Sequence, residues 1–278
     1  MWSFPASNSA KQRLGVLVIP GNPGIAEFYI PFMKELYATL EGRVVVSCAS
    51  HWGHATSHHP LKKSKGCSEL DTQIEYQTEI AQRLLHERCD RLVLIGHSIG
   101  AHIALHVASR LDENQVALCA LLYPAINHLS KAPAATKIHV LLALRTPIEW
   151  AWRMVPELMR TSLVKMFLPR EGFSAAACNL ISPQVIGSVL DLVTDEFADV
   201  KDYDMHLIRK AAQRSCLKLY FAEKDSWVFP HDLPEKLVLH EPRLDITRCV
   251  LGTTHAFVLY DWQVMAAEIA SWITRHLE

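Results

Sequence analysis

A chain of 278 residues, half of them hydrophobic and 21% charged, can bury one large core and falls outside the disordered class. Its 28 basic and 29 acidic residues give a formal net charge of −1, too balanced a surface to point to nucleic acid. No apolar run reaches the ~18–20 residues that span a bilayer, and the opening Met1-Trp2-Ser3-Phe4-Pro5 has no basic segment leading into an apolar core. The expectation is therefore a soluble or peripheral protein without a secretory signal. The cysteines are seven in number, and Cys48, Cys119, Cys216 and Cys249 lie in or beside strand-like runs. Buried, reduced thiols on the cytosolic side of the cell are expected.

In chain order, short apolar runs alternate with amphipathic ones. Leu14–Ile19 reads as a strand, Ile30–Leu40 as a helix, Val44–Cys48 as a strand and Glu69–Glu87 as a helix. Leu92–Ile95 is the next strand, Ala101–Leu111 a helix and Val116–Leu122 a strand. Cys216–Ala222 and Leu244–Val250 follow as strands, and Asp261–Leu277 closes as a helix with Val264, Ala267, Ile269, Trp272 and Ile273 on one apolar face. This is the βαβ rhythm of a parallel sheet covered on both faces. Only 13 residues precede the first clear strand, so any earlier strands are abbreviated. From about Ala125 to Arg214 there is no strand signal, only helix-like segments punctuated by prolines. The predicted organisation is a core of residues 1–124 and 215–278, with 125–214 as an inserted helical lid.

The chemistry centres on Gly96-His97-Ser98-Ile99-Gly100. This G-x-S-x-G follows an apolar strand and opens a helix of small residues, which is the context of the nucleophile elbow in an α/β-hydrolase fold. There the serine sits on a sharp turn, and the helix behind it supplies a backbone N–H and a positive dipole end. A serine hydroxyl is a poor nucleophile until a base takes its proton. In this fold the order is serine, then acid, then histidine. His255 lies in the loop between the last strand and the terminal helix, the position from which an imidazole reaches Ser98. The acid should follow the preceding strand, where Glu223 and Asp225 both stand. Asp225, on the turn, is the predicted partner of His255, and Glu223 is expected to stay solvated. An oxyanion hole needs two N–H donors. The amide of Ile99 is one, and the loop Pro20-Gly21-Asn22-Pro23-Gly24 offers the backbone amide of Asn22 as the other, since Pro23 has none.

The remaining histidines are assigned more ordinary places. His51, His54, His58 and His59 cluster, but no acidic residue or cysteine lies among them, so neither a metal nor another cofactor is expected. His97 and His102 flank the serine and are expected to pack or line the pocket. Asp191, Asp195, Asp199 and Asp202 are expected on exposed faces of the lid. Within Ile138–Leu168, the residues Ile148, Trp152, Val155, Leu158, Met159, Leu163 and Phe167 recur at roughly helical spacing. Glu149, Arg153, Glu157 and Arg160 lie opposite, with Glu149–Arg153 as an i,i+4 pair. Tryptophans and basic residues beside an apolar face suit the headgroup zone of a lipid surface, and a lid face covering an active site has the same composition.

Ile19-Pro20-Gly21-Asn22-Pro23-Gly24 with Phe28-Tyr29, then Ser50-His51-Trp52-Gly53-His54, the GHSIG elbow and Leu122-Tyr123-Pro124 resemble the lipid-droplet-associated hydrolase family in the same order. The resemblance implies a serine esterase with Ser98, Asp225 and His255 as its triad. It also implies a peripheral place on lipid droplets and the cytosolic face of the endoplasmic reticulum, a lid that carries the lipid-targeting segment, and lipid esters, sterol esters among them, as substrates. An acyltransferase or thioesterase would use the same triad, and a hydrolase fold kept as an idle lipid-surface scaffold would retain it.

Overall fold

The computed structural model describes residues 1–6, 13–57, 68–168 and 173–277. His58, His59 and Cys67 therefore lie outside the described residues. The strands are β1 (Trp2–Phe4), β2 (Leu14–Ile19), β3 (Val45–Cys48), β4 (Arg91–His97), β5 (Val116–Leu122), β6 (Cys216–Phe221) and β7 (Asp245–Arg248). They form one seven-stranded sheet in the order β1-β3-β2-β4-β5-β6-β7. Every pairing is parallel except β1 with β3.

Alternation along the strands sends side chains to two separate cores. Leu17, Ile19, Leu94, Cys119, Leu121 and Leu219 face one side, while Val16, Val18, Val93, Ile95, Leu118 and Leu122 face the other. On the second side lie α1 (Ile30–Thr39) and, at the far end of the chain, α12 (Trp262–Thr274), packed on each other. On the first side lie α2 (Glu69–Glu87) and α3 (Ile99–Arg110). Ser68 caps α2 through its hydroxyl, which accepts from the Asp71 amide at 3.1 Å.

Between β5 and β6 the chain is helical: α4 (Ala135–Ala143), α5 (Arg145–Met154), α6 (Glu157–Phe167), α7 (Ser174–Leu180), α8 (Pro183–Asp199) and α9 (Met205–Arg214). The last of these does not cover the site. Asp204 caps it, and Leu207, Ile208 and Ala211 join the core beside α3. Of the others, α4 and α8 contribute walls to the cavity over Ser98. A short helix, α10 (Leu233–His240), lies between β6 and β7, and a single turn, α11 (Phe257–Tyr260), precedes α12.

Two predicted features of this insertion differ. Ile138–Leu168 is three short helices broken at Leu144 and at Val155-Pro156. Its ion pair is Arg145–Glu149 at 2.6 Å, with Arg145 also 2.8 Å from Asp191, rather than Glu149–Arg153. Asp195 is likewise no surface ornament, because its carboxylate accepts from the Glu69 amide at 2.5 Å and caps α2 from α8. Both acids lie on the side of α8 that docks. Periodicity within α8 cannot reveal what a distant helix end requires.

Candidate active site

Ser98 sits between β4 and α3 with φ 56° and ψ −123°, a region that non-glycine residues occupy only under constraint. The constraint is local packing. A Cβ on Gly96 would lie 2.7 Å from the Ala101 Cα, and one on Gly100 would strike the carbonyl oxygens of Ile19 and Pro20. The two glycines let α3 back directly onto β4 and the end of β2. The Ser98 carbonyl accepts from Ala101 N and from Ala125 N, just past the Tyr123-Pro124 turn.

The three residues read from the sequence meet here. His255 Nε2 lies 3.0 Å from Ser98 Oγ, and His255 Nδ1 lies 2.8 Å from Asp225 Oδ2. A carboxylate only accepts, so Nδ1 carries the hydrogen and Nε2 keeps a lone pair toward the serine hydroxyl. The other oxygen of Asp225 accepts from Trp227 N at 2.8 Å, and the residue is buried. Glu223 is exposed, as expected.

The loop after β2 completes the constellation. Gly21 is packed so closely that a Cβ there would lie 3.0 Å from the Ser98 Cβ. Its amide is already used, donating to Tyr29 Oη at 2.7 Å. The amides of Asn22 and Ile99 donate no hydrogen bond among the described residues; Asn22 lines the same cavity as Ser98, and Ile99 follows Ser98 in the chain. The segment after β3 braces this loop from behind. Gly24 N donates to His54 Nδ1 at 2.8 Å, His51 N to Gly24 O at 2.7 Å and Ala26 N to Ser50 Oγ at 3.0 Å. A Cβ on Gly24 would strike the His51 ring. His51 and His54 thus act as struts of a backbone turn, and burial holds the His51 imidazole well below its ordinary pKa.

Over Ser98 lies a cavity of about 420 Å³, within the usual range for small-molecule sites. Its walls are mostly apolar: Phe28, Leu129, Ile138, Leu141, Val193 and Phe197 among them. α4 and the residue that ends it divide their apolar side chains between two jobs. Ile138 and Leu141 face the cavity, while Val140 and Leu144 point to solvent. His97 lines the same cavity, whereas His102 packs beside His106 with ring centroids 4.8 Å apart.

Sequence reasoning missed Glu196, a buried carboxyl in this apolar wall. Burial is the main cause that pushes its pKa up to about 8, partly opposed by the hydrogen bond from Asn22. Asn22 Nδ2 donates to Glu196 Oε1 at 2.9 Å and to Val189 O at 3.1 Å, so its side chain ties the β2 loop to α8. A signal for Glu196 does exist in the sequence: it falls in line with Val189, Val193 and Phe197 at helical spacing, where an apolar residue would be expected. Trp227, whose ring lies 6.1 Å from that of His255, carried no such signal.

The model of the lipid-droplet associated hydrolase family matches residues 12–258. The chain belongs to that family. The lipid droplet-associated hydrolase of Gallus gallus is 30% identical over 98% of this chain and 89% of its own length. That of Rattus norvegicus is 30% identical over 99% and 89%. Among solved structures, a carboxylesterase from Nitrososphaera gargenis superposes with a TM-score of 0.65 at 13% identity, covering 98% of this chain and 93% of its own. The α/β-hydrolase fold is thereby shown, and this member of the lipid droplet-associated hydrolase family is a hydrolase. Among the described residues no helix is long and apolar enough to cross a membrane.

Proposed function

We propose that this hydrolase is a serine esterase that cleaves acyl esters of lipids through a covalent acyl-enzyme. The observation that carries this reading is the Ser98–His255–Asp225 line, 3.0 and 2.8 Å between its members, at the floor of an apolar cavity. Ser98 Oγ attacks the ester carbonyl and its proton passes to His255 Nε2. The charge that develops on the carbonyl oxygen is met by the amides of Asn22 and Ile99. Collapse breaks the bond to the alcohol, which leaves with the proton from His255. Water then gives a proton to the same nitrogen and attacks the acyl carbon, releasing the acid and restoring Ser98. Asp225 holds the imidazole tautomer and stabilises its cation. The cycle uses no cofactor.

The site of action in this reading is a lipid monolayer, on a droplet or the cytosolic face of the endoplasmic reticulum. It is supported by the relatives' names and by an unusual surface. Leu158 is 84% exposed, Met166 72%, and Trp150 and Met154 each 67%. Exposed apolar side chains on neighbouring helices mark an interaction site. The same insertion supplies Ile138, Leu141, Val193 and Phe197 to the cavity walls, so in this reading the lipid contact and the acyl site draw on one segment of the chain.

The test is turnover of a panel spanning short aryl esters, emulsified triacylglycerol and sterol esters, with Ser98→Ala as the blank. Hydrolysis of at least one carboxylic ester, lost by about a thousandfold or more in Ser98→Ala, is expected. Folded parent protein that exceeds the blank on none of them would remove the esterase reading.

A further inference from the structure

The triad and the oxyanion loop stand on segments far apart in the chain, and one run of buried hydrogen bonds joins them. Gly21 N–H donates to Tyr29 Oη at 2.7 Å, Tyr29 Oη lies 2.7 Å from His97 Nδ1, and His97 Nε2 lies 2.8 Å from the carbonyl oxygen of His255. The directions are fixed by donor and acceptor chemistry. A carbonyl oxygen only accepts, so His97 Nε2 carries a hydrogen. A neutral imidazole has one N–H, which leaves Nδ1 as an acceptor, and Tyr29 gives it the phenolic proton while accepting from Gly21. His97 is neutral because burial, reinforced by the neighbouring His255, lowers its pKa to about 3. The two rings are 5.2 Å apart, so a second cation beside the His255 imidazolium of the reaction would be repelled.

We infer that Tyr29 and His97 are positioning residues that set the oxyanion loop and the backbone of His255 against each other across the elbow. Neither touches the reacting atoms in this role. Gly21 is the neighbour of Asn22, the oxyanion donor of the esterase reading, and the relay fixes the peptide plane that leads into this pair. At its other end it holds the main chain of the base. Each end has other supports. The β2 loop is braced by His54 and Ser50, and the histidine loop by Tyr123 Oη to Thr253 Oγ1 at 2.6 Å. Loss of the relay therefore loosens the alignment of the two parts without dismantling either.

This inference rests on the esterase reading, and the test separates the two. A fluorophosphonate probe reports the attack of the Ser98 oxygen without requiring the natural substrate. Saturation kinetics of labelling give a binding constant and a maximal rate for the parent, Tyr29→Phe, His97→Leu, His97→Gln and the Tyr29→Phe/His97→Leu pair, each shown folded by circular dichroism at the assay temperature. Tyr29→Phe and His97→Leu should each lower the maximal rate about ten- to a hundredfold, with binding within about twofold. His97→Gln, whose amide can still donate toward His255, should lose less than His97→Leu. The double variant should be no slower than the worse single, because the two side chains form one relay. Parent-like labelling of Tyr29→Phe, or losses that multiply in the double variant, would overturn the inference. A parent that is not labelled at all would defeat the esterase reading and this inference with it.

Discussion

Asn22 shows how much a single residue carries here. Its backbone amide is the proposed oxyanion donor, and its side chain reaches Glu196, whose carboxyl is pushed up to about pKa 8 by burial. The sign of the consequence follows from proton counting. Unfolded, Glu196 releases its proton near the ordinary carboxylate pKa, whereas folded it keeps it to about pH 8. Between these limits the folded state holds the extra proton, so stability falls as pH rises, by at most about 1.4 kcal/mol per pH unit, and levels off above. Glu196→Gln removes that slope. Urea unfolding of parent and variant at pH 5, 6, 7 and 8 should show the variant gaining steadily on the parent as pH rises. His97, lowered to about 3, tilts stability the other way below its ordinary pKa, but it is common to both proteins and cancels in the difference. A difference that does not change with pH would mean that Glu196 is ionised in the folded protein.

At the level of elements, the helices α4–α6 are the least legible in the sequence. Spacing predicts one amphipathic stripe through Ile148, Trp152 and Leu158, but Leu144, Val155 and Pro156 divide the segment into three helices, and each resets its own face. The ion pair of Arg145 with Glu149 and Asp191 points toward α8, while Trp150, Met154, Leu158 and Met159 are turned to solvent. Local periodicity names an apolar face but not the neighbour that covers it. Replacing Trp150, Met154, Leu158 and Met159 with serine should leave stability within about 0.5 kcal/mol per site, since little burial is lost. Binding to phospholipid-coated triolein emulsion, followed by flotation, should fall at least tenfold, because apolar area contributes roughly 25 cal/mol per Å² when it leaves water. Undiminished flotation would return this face to an ordinary lid exterior. Strands β2 to β5, by contrast, are plain in the sequence, because each is buried on both faces and reads as a nearly continuous apolar run. β1 is the abbreviated leading strand expected before Leu14, too short at three residues to show a period, and α10, eight residues that include a proline, looks like a loop in the sequence.

Across the whole molecule, the candidate site could be read from the sequence wherever fold topology dictates position. Ser98 follows β4, Asp225 follows β6 and His255 follows β7, so chain order alone brings them to one edge of the sheet. What could not be read is the scaffold that aligns them. The roles of Tyr29, His51, His54, His97 and Glu196 depend on pairings such as Gly24–His54, Tyr29–His97, His97–His255 and Asn22–Glu196, which join residues 30 to 174 apart in the chain. In the structure, the family motifs along the chain turn out to meet around the β2 loop and the elbow. The central claim is that Ser98 is a nucleophile activated by His255 and Asp225. The measurement that tests it most directly is fluorophosphonate labelling with the adduct mapped by peptide mass spectrometry. A single adduct on Ser98 is predicted, absent in Ser98→Ala and formed at least about a hundredfold more slowly in His255→Ala. An adduct on another residue, or equal labelling rates in the parent and His255→Ala, would contradict it.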